Sequence, residues 1–121
     1  MRVEGIATQT VTLSETTRAK AFREIEERIV KDSLDVIILK ALKEETLNGY
    51  LVNSMIQRRY NIRLSPGTIY SLLYSLEKKG LVESSLRQKP RYYKLTVRGE
   101  ETLRTIAAMQ NRIKAITSTI F

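Results

Sequence analysis

The stretch from Leu64 to Val82 constrains this chain most, because it holds a whole helix with both ends marked. Ser65 can cap the start with its hydroxyl, and Pro66 suits the first helical position, where its missing N–H would be unpaired anyway. Gly80 can close the other end in the left-handed conformation. Between these signals Ile69, Leu72, Leu73 and Leu76 fall at i, i+3, i+4 and i+7, a single apolar stripe facing a core. The opposite face carries Thr68, Tyr70, Ser71, Tyr74, Ser75, Lys78 and Lys79, and no carboxylate. A solvated face usually mixes both charge signs, whereas a surface laid against phosphates and base edges requires donors without negative charge. The helix by itself leaves both readings open.

Charge distribution bears on that choice. The chain has 121 residues and a net charge of +8. Between Arg58 and Arg98 lie ten basic residues (Arg58, Arg59, Arg63, Lys78, Lys79, Arg87, Lys89, Arg91, Lys94 and Arg98) against Glu77 and Glu83, which is the whole excess. Residues 1–57 hold eight basic and nine acidic residues, and residues 99–121 three and two, so both flanks are nearly neutral. Charge gathered on the segment that contains the acid-free helix is the footprint expected of a nucleic-acid binder; charge kept for solubility would be spread.

Other classes lose their usual parts. The chain has no cysteine and no histidine, which removes disulfides, thiolate metal sites, thiol nucleophiles and the commonest general base and transition-metal ligand. No two carboxylates sit in a context that suggests a paired acid and base, so no catalytic residue, metal or cofactor is expected. No apolar run exceeds four residues, and Met-Arg-Val-Glu-Gly places an acid where an export signal would begin its apolar region. The expectation is an intracellular, cytoplasmic and nucleoid-associated chain without membrane contact.

Taken in order, residues 1–13 alternate weakly and stay unassigned between a short strand and a loose arm. Ser14 is a plausible cap for an amphipathic helix on which Phe22, Ile25 and Ile29 recur among balanced charges, a pattern suited to packing on another helix. Asp32 or Ser33 can cap a helix carrying Leu34, Ile37, Ile38, Ala41 and Leu42. Asn48-Gly49 starts the next, with Tyr50, Leu51, Val52, Met55, Ile56 and Tyr60 as its apolar residues and Asn61 as its stop. Ile62 and Leu64 then read as an extended connection into the Ser65 helix. Three short helices with a brief turn between the second and third are the helix-turn-helix layout.

Residues 81–85 and 91–95 each read as short strands, separated by Leu86-Arg87-Gln88-Lys89-Pro90. A hairpin directly after the third helix is the wing of a winged-helix domain, and its tip offers Arg87, Lys89 and Arg91 to a phosphate backbone or minor groove. Basic residues that merely keep a sheet edge soluble are the competing account. Thr96 can cap a last helix of about twenty-five residues. On it Ile106, Ile113 and Ile120 take a positions and Met109 and Ile116 take d positions of a heptad seam. A second copy would cover the seam; alternatively the stripe folds back on its own winged helix, with the Phe22 helix as lid. Apolar space between the Phe22 helix and the last helix is a candidate site for an unnamed small-molecule effector.

Together these motifs resemble the PadR family of winged helix-turn-helix regulators. Leu47-Asn48-Gly49-Tyr50 is similar to the family's Leu-His-Gly-Tyr opening of the second helix, and Leu64-Ser65-Pro66-Gly67-Thr68-Ile69-Tyr70 to the start of its recognition helix. Leu76 to Val82, and Pro90 to Thr96 with Gly99, are similar to the helix exit and the second wing strand. Asn48 stands where histidine is usual, and the single long last helix resembles the small branch of the family. The resemblance implies a homodimer on a palindromic operator, most often a repressor, released in some members by an effector. It also implies DNA-facing positions for Ser65, Thr68, Tyr70 and Tyr74, with Arg87, Lys89 and Arg91 on the wing; for Tyr70 packing against the second helix is the alternative.

The fold expected is therefore mainly α with a small β-hairpin: an N-terminal arm and helix over 1–30, a winged helix over 31–96, and a dimerisation helix over 97–121. The function expected is double-stranded-DNA-binding transcriptional regulation by a homodimer. Ser71, Ser75 and Tyr74 are candidates for base edges, and Lys78, Lys79 and the wing for phosphates. Phe22, Ile25, Ile29, Ile106, Met109, Ile113, Ile116 and Ile120 are the candidate dimer contacts. The rival function is a winged helix that binds protein, because fold alone does not choose between the two.

Overall fold

A computed structural model describes residues 14–121. The weak alternation over 1–13 lies outside them. The chain divides into two compact units, Met1–Asp32 and Ser33–Phe121.

In the first unit the described residues form α1 (Glu15–Asp32). Ser14 starts it as the sequence implies: its Oγ accepts from the Thr17 N–H at 3.1 Å and its carbonyl from the Arg18 N–H at 3.1 Å. Arg23–Glu26 and Glu27–Lys31, both at 2.9 Å, are neighbours on one helix surface. The Lys31 ammonium, hydrogen-bonded to Glu27, holds that carboxyl below its ordinary range. Phe22 and Ile29 are exposed and Ile25 is half-buried.

The second unit runs α2 (Leu34–Glu44), β1 (Leu47–Asn48), α3 (Gly49–Tyr60), α4 (Pro66–Lys78), β2 (Val82–Ser84), β3 (Tyr92–Leu95), α5 (Val97–Ala108) and α6 (Gln110–Ile120). Ile38, Val52, Ile56, Ile69, Leu73 and Val82 are its most deeply buried side chains, so α2, α3, α4 and β2 share one core. Ile62 and Leu64 point inward as their alternation implies. On α3 the apolar set is narrower than the sequence suggests: Val52 and Ile56 are buried, while Tyr50 and Leu51 face outward.

The caps explain where the helices stop. Asn48 Oδ1 accepts from the Leu51 N–H at 2.8 Å, and Asn61 closes α3 in the left-handed region, φ 55° and ψ 40°. At the end of α4 Gly80 takes φ +76°, its N–H bonds the Glu77 carbonyl at 2.9 Å, and the Leu81 N–H bonds the Leu76 carbonyl at 3.0 Å. This is the paired closure of a Schellman motif, with the glycine where an L side chain would be strained. Thr96 Oγ1 accepts from the Gly99 N–H at 3.1 Å and donates to the Gly80 carbonyl at 2.6 Å, so the start of α5 is fastened to the end of α4. Ser33 occupies the cap position of α2, but its side chain makes no cap bond there.

Two features depart from the sequence reading. The hairpin of β2 and β3 is joined by a third strand: β1 pairs antiparallel with β3, Leu47 opposite Tyr93 and Asn48 opposite Tyr92, giving the order β1-β3-β2. The last helix is also not continuous. Met109, at φ −96° and ψ 8°, leaves helical geometry between α5 and α6, and its N–H is shared between the Thr105 and Ile106 carbonyls. That three-residue bond tightens the turn and interrupts the expected heptad seam between Ile106 and Ile113. Folding back on the winged helix is likewise not what α6 does: every residue from Ala107 onward is exposed.

Candidate nucleic-acid interface

The helix-turn-helix is α3, the turn from Asn61 to Ser65, and α4. Asn53 on α3 donates through Nδ2 to the Leu64 carbonyl at 3.0 Å, which fixes the turn against the helix before it. Ser65 then opens α4: its Oγ accepts from the Thr68 N–H at 3.2 Å and lies 2.9 Å from Thr68 Oγ1. With Ile69, Leu73 and Leu76 buried, the opposite face must turn outward.

Ser65, Gly67, Thr68, Ser71, Leu72 and Ser75 line one shallow open groove along α4. Four of the predicted contact residues thus come together as a row of hydroxyls. Tyr74 is 63% exposed, and the Lys78 ammonium lies 5.7 Å from the centre of its ring, a cation–π arrangement that holds the lysine along the helix. Lys79 is exposed at the C-cap.

Tyr70 is partly packed and partly exposed. Its ring sits on Gly49, where an added Cβ would come within 2.7 Å of it, yet the residue remains 48% exposed. Glycine at the start of α3 is what admits the ring, so the packing role named as the alternative is present beside an exposed edge.

The wing is the loop between β2 and β3. Val82 pairs with Leu95, Glu83 with Lys94, and Ser84 with Tyr93. Arg87, Lys89 and Arg91 are all exposed on it. Lys94 is spent differently, on Glu83 at 3.2 Å across the hairpin. Ser84 Oγ donates to Glu77 Oε2 at 2.7 Å, linking the wing to α4. Burial, and secondarily the Glu77 charge, push the Tyr93 phenol above its ordinary value.

Of the apolar candidates for pairing, Met109 is exposed at the junction of α5 and α6, Ile113, Ile116 and Ile120 are exposed along α6 with Phe121 after them, and Ile106 is half-buried on α5. Arg63, not among the expected contacts, is also exposed just ahead of α4. Its place in the basic cluster, two residues before the cap, was the signal available.

Comparison with known proteins defines the class. The model of the PadR-like family of transcriptional regulators matches residues 38–105, and the chain belongs to that family. The match takes in α3, the turn, α4 and the wing. A PadR-like transcriptional regulator from Bacillus cereus has the same fold at 23% identity, with a TM-score of 0.65 over 77% of this chain and 95% of that one. A PadR family regulator from Eggerthella lenta has a TM-score of 0.69 at 20% identity, over 87% of this chain and 96% of the other. An uncharacterised 37.1 kDa protein of a Streptomyces fradiae transposon is 37% identical over 81 residues, which are 64% of this chain and 23% of that protein. The chain therefore spans under a quarter of that relative. The family is one of regulators, in agreement with the expectation of a non-enzyme. Among the described residues no helix is long and apolar enough to cross a membrane.

Proposed function

We propose that this chain binds double-stranded DNA sequence-specifically as a homodimer and represses transcription by occupying a palindromic operator. One observation carries the reading: the hydroxyl-lined groove of α4 lies in the segment that holds the chain's whole excess of positive charge. Ser71, Ser75 and Tyr74 meet base edges, while Lys78, Lys79, Arg87, Lys89 and Arg91 meet phosphates. Ser65 and Thr68 set the start of the helix on the backbone, joined by the exposed edge of Tyr70. Residues 31–96 are the binding module and 97–121 the pairing element.

Pairing is supported by the bare apolar side chains of α6. Met109, Ile113, Ile116 and Ile120 form a stripe that a second copy would remove from water, with Phe22, Ile25, Ile29 and Ile106 as further contacts. Two recognition helices then enter successive major grooves about one turn, roughly 34 Å, apart. Selection of bound fragments from genomic DNA tests this directly. A recovered motif with twofold symmetry and half-sites about one turn apart is expected. Recovery of no motif, with capture of protein partners instead, would make the winged helix a protein-binding module.

A further inference from the structure

Glu77 is out of place on a DNA-binding helix. It is the single acid between Glu45 and Glu83, and it stands beside Lys78 and Lys79 on the element whose exposed face is otherwise free of negative charge. A carboxylate near phosphates opposes binding, so on charge alone its removal should strengthen the complex. The side chain does not point into the hydroxyl groove, which is lined without it. Instead its Oε2 accepts a hydrogen bond of 2.7 Å from Ser84, the last residue of β2 before the wing loop. Ser84 stands opposite Tyr93 in the hairpin, and the next rung is doubly fastened: the Ser85 N–H donates to the Tyr92 carbonyl at 3.0 Å and the Tyr92 N–H to Ser85 Oγ at 3.2 Å.

We propose that Glu77 is a positioning residue for the wing, its carboxylate latching β2 to the recognition helix so that Arg87, Lys89 and Arg91 are carried at a fixed place beside the hydroxyl groove. A charge-assisted bond to a carboxylate is stronger than a neutral one, which suits a short link that must hold a protruding loop. The inference rests on the DNA-binding reading, and it reverses the sign that simple electrostatics gives to one substitution.

The test measures dissociation constants for a mixed-sequence DNA duplex. It compares the full chain with Glu77→Ala, Glu77→Gln and Ser84→Ala, each with and without Arg87→Ala and Lys89→Ala on the wing. Melting temperatures are taken in parallel. Glu77→Ala and Ser84→Ala are expected to weaken binding by about tenfold, and the wing substitutions to lose most of their effect in either background. Glu77→Gln, which keeps an acceptor for Ser84 and drops the charge, is expected to bind at least as tightly as the unaltered chain. Binding of Glu77→Ala equal to or tighter than the unaltered chain would overturn the latch. So would a wing contribution of the same size in all backgrounds, even with lowered melting temperatures, since that is the mark of a merely structural residue. Failure of the unaltered chain to bind any duplex would instead remove the DNA-binding reading, so the two failures are distinguishable.

Discussion

Within one compact unit, α4 and α6 are treated in opposite ways. The helix α4 spends its apolar residues on a core and presents hydroxyls and lysines outward, whereas α6 buries nothing and leaves Ile113, Ile116 and Ile120 in water. Their lengths are similar, 13 and 11 residues, so the difference lies in what stands opposite each stripe. For α4 the partners are α2, α3 and β2 of the same chain. Among the described residues of its own unit nothing buries the stripe of α6, and an exposed row of isoleucines is a surface that a partner can cover. Folding finishes one helix, and the proposed pairing would finish the other.

The largest effects should separate these two helices. Leu73→Ala, at a fully buried position, is expected to cost about 2–5 kcal/mol in urea unfolding, while Ile116→Ala at low protein concentration should cost under about 0.5 kcal/mol. Equal losses would erase the contrast. The same helices should then exchange ranks in sedimentation. Ile113→Asp is expected to convert a dimer to a monomer, because it would bury an unpaired charge in the pairing surface, and an unchanged mass would refute that role for α6.

Local strength within the winged helix gives smaller shifts. Asn48→Ala removes the side-chain acceptor of the Leu51 N–H and should lower stability by about 1 kcal/mol, with α3 fraying first in hydrogen exchange. A loss near zero would mean that water replaces the cap without cost. Tyr93 supplies the smallest effect, seen only in alkali. Its phenol is held above its ordinary value, so the unfolded chain ionises first; stability is full below about pH 10 and falls as pH rises through the folded value. Tyr93→Phe should make that alkaline decline shallower, and an unaltered profile would show that the buried phenol is not its source.

Much of the fold could be read from residues close together in the chain, because caps are local. Ser14, Asn61, Ser65, Gly80 and Thr96 each mark a helix end where expected. The strand β1 escaped that reading, since two residues carry no periodicity and Leu47 finds Tyr93 only when the chain has folded. The break at Met109 escaped it as well, because Ile106, Met109 and Ile113 keep their heptad spacing whether or not the backbone between them stays helical. On the candidate surface, the groove of Ser65, Thr68, Ser71 and Ser75 followed from helical spacing. The packing of Tyr70 depends on Gly49 in another helix, and the Glu77–Ser84 bond joins two elements, so neither could be seen in a pattern along one helix.

The central claim is that the outward face of α4 and the wing form an electrostatic surface for a nucleic-acid backbone. Its most direct test is the affinity for duplex DNA as a function of salt, for the unaltered chain and for Lys78→Ala. Log affinity is expected to fall against log salt with a slope of several units, and Lys78→Ala should reduce that slope by about one. A slope near zero, or one that Lys78→Ala leaves unchanged, would contradict the claim.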